Sequence, residues 1–410
     1  MHFLWRSLAF VVLIAVLYAA SPLAQAPAWA IQEPQINGES AILLEMTSGQ
    51  VIWAKNEHVK RAPASTTKIL TALIALEKGK LDDLVTVSEE AVRVEGTRVY
   101  LVAGEKQSLE NLLYAMLLNS ANDAAYAIAE YIGGNVENFT RMMNKKAQEL
   151  GAVNSNFVTP NGLDAEGHYT TAYDLALIAR AAMENPKFRE IVATKTRKWH
   201  GAEWESTLIN QNDLLSTYEG TIGVKTGYTS QAKNCLVSAA RRNGDTYLAV
   251  VLGSQTKSSV ISDSKKLLDY AFENYYTQSL ARKGETVAEI SLEGQNLSIT
   301  PISDLAYLQS RWTPVFPQAK INLLPLKAPV GKGEKVGEIQ YLWENEEIGR
   351  VELVAQNAVQ NRTTLFDWWV RLTSFVFVLL AIMLTLRIIN GRRRTKYRTF
   401  SRRSSIYRGL

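Results

Sequence analysis

Ser65-Thr66-Thr67-Lys68 sets a hydroxyl and an amine three residues apart. On a helix this spacing puts the lysine one turn from the serine, on the same face. A serine at a helix start lies where backbone N–H groups and the positive dipole end favour developing negative charge. A lysine partly desolvated and held against other cations can lose its proton near neutral pH and act as a base. The spacing alone is weak evidence, because Ser230/Lys233, Ser254/Lys257 and Ser262/Lys265 repeat it. Only Ser65 heads a helix whose apolar positions, Ile69, Leu70, Leu73, Ile74 and Leu76, demand burial.

Two further groups suit the same chemistry. Ser120-Ala121-Asn122 follows 55 residues after Ser65, between two predicted helices. Its hydroxyl could relay a proton and its amide could hold a carbonyl, although alone it reads as a helix N-cap. Lys225-Thr226-Gly227 occurs once, on a predicted strand. A cation and a hydroxyl there would grip a carboxylate, and the glycine would let a substrate backbone approach. Alone it is an exposed strand lysine before a turn.

Other chemistries find little support. Cys235 is the one cysteine, so no intrachain disulfide forms, and its apolar run reads as a buried strand thiol. His2, His58, His168 and His200 are scattered without ligand spacing. No metal site and no cofactor are called for. Glu166 sits in the loop Asp164-Ala165-Glu166-Gly167 and reads as a solvated acid.

Elements must carry these residues. Residues 41–44 and 51–54 read as two strands on either side of the turn Thr47-Ser48-Gly49-Gln50. Helices are predicted over 65–78, 109–118, 122–131, 136–150, 172–184 and 264–275, with Thr159-Pro160-Asn161-Gly162-Leu163 a loop. Strands return at 223–227, 235–241 and 246–252, the last two joined by Asn243-Gly244, a strong hairpin signal. Strands at both ends with helices between predict an α+β fold: one antiparallel sheet, its first and last strands neighbours, covered by helices. From about 280 to 356 short alternating segments (286–291, 296–300, 320–324 and 350–354) predict a small all-β domain.

The ends place the chain. Residues 8–20 are almost continuously apolar behind Arg6 and precede small-residue cleavage patterns, of which Ala28-Trp29-Ala30 is preferred. This is a signal peptide, residues 1–30. Residues 372–386 are apolar, with Trp368 and Trp369 before them, and predict a transmembrane helix. Formal net charge is +5, yet nine cations and no acid lie from Arg387 onward, so the rest of the chain is net negative. The basicity belongs to a membrane flank and is no argument for nucleic acid.

The three groups, in this order in an exported chain, resemble those of β-lactamases and penicillin-binding proteins. From about Gln35 to Val359 the chain resembles the low-molecular-mass penicillin-binding proteins, serine-type D-alanyl-D-alanine carboxypeptidases of the peptidase S11 family. The resemblance rests on residues 62–68, 118–123, Asn161-Gly162-Leu163-Asp164, 224–229 and, in the β-domain, 329–354. It implies a β-lactamase/transpeptidase-like fold and a peptidoglycan pentapeptide stem as substrate, with β-lactam antibiotics as inhibitors. Ser65 would attack the penultimate D-alanine carbonyl, Lys68 act as base and Ser120 pass the proton to the leaving amine. Asn122 would orient the acyl chain, and Lys225 and Thr226 bind the terminal carboxylate. Backbone N–H groups of Ser65 and Tyr228, the latter next to Gly227, would form the oxyanion hole. Tyr228 stands where some members carry histidine.

The organisation expected is a signal peptide (1–30), a catalytic domain (31–276), an all-β domain (277–359), a membrane anchor (366–389) and a basic cytoplasmic tail (390–410). The catalytic domain would face the extracytoplasmic side. A β-lactamase is the runner-up enzyme, disfavoured because a free drug hydrolase needs neither the β-domain nor the anchor. A D,D-endopeptidase and a non-catalytic penicillin-binding wall scaffold are the other readings.

Overall fold

The computed structural model describes residues 32–361 and 365–404. The segment read as a signal peptide lies outside the described residues. Two compact units emerge: one from the residues up to Leu280 with 305–318 and 343–348, the other from 281–304, 319–342 and 349 onward.

The first unit opens with the hairpin β1 (Ser40–Glu45) and β2 (Val51–Lys55). Successive strand side chains point to opposite faces. Accordingly Ile42 and Leu44 enter one apolar cluster, Ala41 and Leu43 another, and all four are buried. A single 3-10 turn, Ala64–Thr67, leads into α1 (Lys68–Lys78). The short strands β3 (Leu84–Thr86) and β4 (Lys106–Ser108) pair on either side of α2 (Glu89–Arg93) in sequence. Helices α3 (Leu109–Leu118), α4 (Asn122–Gly133), α5 (Val136–Glu149), α6 (Ala172–Glu184) and α7 (Pro186–Ala193) follow. Next come the hairpin β5 (Thr196–His200) and β6 (Glu205–Ile209) and one turn of helix, α8 (Leu214–Thr217). The unit's main chain path ends in β7 (Thr221–Thr229), β8 (Lys233–Arg242), β9 (Asp245–Ser254) and α9 (Lys257–Asn274).

The sheet runs β2-β1-β9-β8-β7 and is antiparallel throughout, so β1 and β9 are neighbours as predicted, with Ile42 opposite Val250. Helix α9 covers one face through Leu267, Leu268 and Ala271; the helices from α1 to α7 build the core on the other. The Asn243-Gly244 turn has φ of 53° and 96°, the positive pair that such a two-residue hairpin requires.

Two predicted elements need correction. The helix expected over 65–78 is α-helical only from Lys68, and Ser65 lies in the 3-10 turn before it. The Thr66 and Thr67 hydroxyls donate back to the carbonyls of Pro63 (2.6 Å) and Ala64 (2.8 Å), a local bond that competes with regular helix. Helix α9 starts at Lys257, not 264, because Thr256 caps it by accepting the Ser259 N–H. The hairpin β5–β6 and the short α2, α7 and α8 had no clear periodic signal.

Beyond α9 come β10 (Tyr275–Ala281), β11 (Ala288–Leu292), β12 (Gln295–Pro301), β13 (Leu305–Ser310), β14 (Gln318–Leu323), β15 (Lys335–Trp343) and β16 (Glu346–Ala355). β10 pairs with β13, and the other five form a sheet of order β11-β12-β16-β15-β14. Its buried residues include Leu297, Ile299, Val336, Ile339 and Leu353. The last element is α10 (Leu365–Ser404), unbroken by Gly391. Its 24-residue stretch Asp367–Asn390 is apolar and unburied. At 1.5 Å per residue it measures roughly 36 Å, enough to cross a bilayer.

Candidate active site

Helix α1 is a core helix, with every residue from Lys68 to Ala75 buried. Lys68 is therefore a fully buried lysine. Its Nζ donates to Ser65 Oγ (2.8 Å), Asn122 Oδ1 (2.8 Å) and the Asn161 carbonyl (2.7 Å). Three protons meet three acceptors. Loss of one proton would leave a lone pair that can accept from the Ser65 hydroxyl while the other two bonds persist.

Electrostatics favour that loss. Burial holds the Lys68 ammonium well below the usual lysine range, the Lys225 charge lowers it further, and Asp123 opposes both. Asp123 is itself buried and accepts the N–H groups of Val99 and Leu101. Lys225, 1% exposed on β7, is lowered to about 7 by burial. Its Nζ donates to the Thr226 carbonyl at 3.0 Å.

Close backbone approach assembles these parts. Ala64, before the nucleophile candidate, has φ of +49°, an uncommon value for a residue with a side chain. β7 passes so near that a Cβ on Gly227 would lie 3.0 Å from the Ser65 nitrogen and 3.1 Å from that of Thr66. On the other side Gly162, at φ +83°, comes closer still: a Cβ there would stand 1.8 Å from the Ala64 oxygen. Glycine is required at Gly162, for φ as well as for space, and at Gly227 any side chain would have to push the nucleophile turn back by a few tenths of an ångström.

Ser120 has φ of +63° in the bend between α3 and α4, and Asn122 is the first residue of α4. The Asn122 amide also donates to the Glu95 carbonyl at 2.7 Å. A cavity of about 530 Å³ is lined by Ser65, Ser120, Thr226, Gly227 and Tyr228 among others. All eight residues singled out in the sequence thus lie in or directly beside one site. Two of the competing lysines are engaged elsewhere: Lys257 pairs with Asp213 at 2.8 Å, and Lys265 donates to the Thr217 carbonyl. Glu166 lines a separate surface depression with Lys60 and Arg61. Cys235 is buried, and burial pushes its thiol up to about 12, the opposite of the shift that favours a reactive thiolate.

A sequence profile of the D-alanyl-D-alanine carboxypeptidases matches residues 28–256, more than half of the chain. The chain belongs to this family. A second profile, the C-terminal domain of penicillin-binding protein 5, matches residues 275–361. Among curated relatives, D-alanyl-D-alanine carboxypeptidase DacF of Bacillus subtilis is 33% identical over 86% of this chain and 95% of its own. DacD of Escherichia coli is 30% identical over 80% and 88%. Among solved structures, penicillin binding protein 5 from Haemophilus influenzae superposes with a TM-score of 0.69 at 29% identity, covering 81% of this chain and all of that one. These matches establish the fold class expected from the sequence, a penicillin-binding-protein-like α+β structure followed by a strand-built module.

Three participants escaped the sequence reading of roles. Asn161 contributes its main-chain oxygen, which no side-chain pattern can reveal. Asp123 was legible only as part of a motif. His168 is 6% exposed and bonds to Thr67, the residue before Lys68; only its place shortly after the Asn161-Gly162 loop hinted at this.

Proposed function

We propose that this protein is a serine-type D-alanyl-D-alanine carboxypeptidase that removes the terminal D-alanine from peptidoglycan pentapeptide stems. The observation that carries the reading is the buried Lys68 amine, bonded to the Ser65 hydroxyl and held below its ordinary range. Lys68 takes the Ser65 proton, and Ser65 Oγ attacks the carbonyl of the penultimate D-alanine. Backbone N–H groups of Ser65 and Tyr228 receive the oxyanion, a contribution of about 2.7–4 kcal/mol per donor. Ser120 delivers a proton to the leaving amine, and D-alanine departs. Water then releases the acyl group from Ser65.

Asn122 keeps one amide proton to orient the acyl chain. Lys225 and Thr226 bind the terminal carboxylate, and Gly227 leaves room for the substrate backbone. A β-lactam mimics the same acyl group but keeps its leaving group tethered, so its ester on Ser65 is long-lived. The catalytic domain, residues 31–276, is followed by an all-β domain over 277–359.

Helix α10 supports membrane anchorage. Trp368, Trp369 and Arg371 would mark the outer interface, the apolar stretch would cross, and the basic tail would remain in the cytoplasm, in keeping with the positive-inside bias. Protease added to intact spheroplasts should then spare an epitope at Leu410; digestion would favour a helix lying on the outer surface.

The enzymatic test is direct. Full-length protein in detergent, incubated with a pentapeptide ending in D-Ala-D-Ala, should release free D-alanine and lose this activity when Ser65 is changed to Ala. Absence of D-alanine release would overturn the reading.

A further inference from the structure

The loop that follows Phe157 grips the nucleophile helix at three points along one face. The Pro160 carbonyl accepts from Thr71 Oγ1 (2.6 Å), the Asn161 carbonyl accepts from Lys68 Nζ (2.7 Å), and the His168 ring meets Thr67 Oγ1 at 3.0 Å. The histidine is the joint of this clasp. Its Nδ1 lies 2.9 Å from the Val158 nitrogen and 3.2 Å from that of Thr159, both N–H donors, so Nδ1 must be the acceptor. Nε2 then carries the proton and donates to Thr67 Oγ1. That hydroxyl spends its own proton on the Ala64 carbonyl, at 2.8 Å. One directed chain therefore runs from the Val158 and Thr159 amides through the imidazole and Thr67 to the residue before Ser65.

We propose that His168 is a positioning residue for acylation: its neutral ring ties the nucleophile turn to the loop, so that Ser65 Oγ and the Asn161 carbonyl are both held against the Lys68 amine. The inference rests on the carboxypeptidase reading above. A cation at this place would break the chain, because protonated Nδ1 would face two N–H donors. The surroundings disfavour the cation: burial lowers the ring to about 4, against a weaker opposing pull from Asp164. Glu166, Lys60 and Arg61 border the same depression, Phe157 stacks edge-on at 5.8 Å, and Thr67 and the loop amides are uncharged.

The test uses the full chain in detergent and reads the second-order rate of acylation by a fluorescent β-lactam. Parent protein that fails to acylate would sink the functional reading itself. With the parent active, His168→Phe should slow acylation about tenfold or more, and His168→Gln, which can accept and donate at similar places, should stay within about threefold of the parent. Thr67→Val, which keeps the volume and removes the hydroxyl, should slow acylation several-fold and guards against a His168→Phe protein that does not fold.

A second readout separates positioning by a neutral ring from simple space filling. The folded ring holds its proton more weakly than an unfolded histidine near 6.5. Below that pH the unfolded chain binds more protons, so stability falls as pH drops from about 6.5 to about 4. The parent Tm should fall across this window more steeply than that of His168→Gln. Parent-like acylation by His168→Phe and Thr67→Val would overturn the proposal. So would His168→Gln as slow as His168→Phe, or parallel Tm–pH curves.

Discussion

Two five-stranded sheets occur among the described residues, and they differ in what covers them. In the sheet of β1, β2, β7, β8 and β9, the strands β1 and β9 are buried on both faces; every residue of β1 and all but one of β9 is buried. In the sheet of β11, β12, β14, β15 and β16, neither β14 nor β11 has a buried residue. The doubly covered sheet can carry a lysine into a dry environment on its edge strand, beside a core helix that does the same. The other sheet offers no comparable depth. Among the described residues, the two lysines pushed below their ordinary range by burial, Lys68 and Lys225, both belong to the unit built on the first sheet.

The comparison breaks most visibly at Lys68. Lys68→Ala should reduce acylation by roughly 10²–10⁴-fold, the usual range for losing a general base. Stopped-flow with a chromogenic β-lactam measures this, and a parent-like rate would remove Lys68 from the base role.

Packing gives the next effect. Leu43→Ala in the doubly buried β1 should cost about 2–5 kcal/mol by urea denaturation. The counterpart on exposed β14, Ile321→Ala, belongs at the bottom of the scale, within about 0.5 kcal/mol.

Lys225 lies between these extremes. Lys225→Ala should lower kcat/KM for a free-acid peptide ten- to over a hundredfold, from a loss of about 1.5–3 kcal/mol. An amidated peptide should suffer less. For the parent, kcat/KM on the free acid should decline as pH rises through about 7, where Lys225 loses its proton. The variant should lack that limb; its persistence would assign the limb elsewhere.

The smaller companion effect has the opposite sign. A lysine lowered from 10.5 to about 7 costs stability wherever the unfolded chain holds the proton more tightly. That cost is full below about pH 7 and relieved as pH rises toward about 10.5. Lys225→Met, which keeps the stem and removes the charge, should raise Tm at neutral pH by about 2–4 °C per kcal/mol relieved. A less active yet more stable protein is the expected result, and an unchanged or lowered Tm would contradict it.

Much of this was legible in the residues because it rests on period and punctuation. Two apolar runs on either side of the turn at 47–50 gave β1 and β2, Asn243-Gly244 gave the β8–β9 hairpin, and the capping serine, threonine or asparagine before α3, α5 and α6 marked helix starts. The eight candidate site residues were legible through motif order. The Asn161 contribution was not, because any residue type supplies a main-chain carbonyl. The 3-10 turn was hidden for a related reason: the Thr66 and Thr67 hydroxyls bond to backbone, and their sequence is compatible with a helix. The His168 clasp joins segments about a hundred residues apart, and no local pattern encodes such a pairing.

The two glycines that flank Ser65 also bear on how a bacterium could escape a β-lactam. A methyl group at Gly162 would overlap the Ala64 carbonyl, and one at Gly227 would press on the Ser65 amide. Either change would disturb the nucleophile turn that substrate and drug share, so loss of drug capture would come with loss of the hydrolytic reaction. Tyr228, adjacent on β7 and 65% exposed at the cavity rim, can vary without disturbing the core. Under antibiotic selection, changes are expected to accumulate at Tyr228, with positions 162 and 227 remaining glycine.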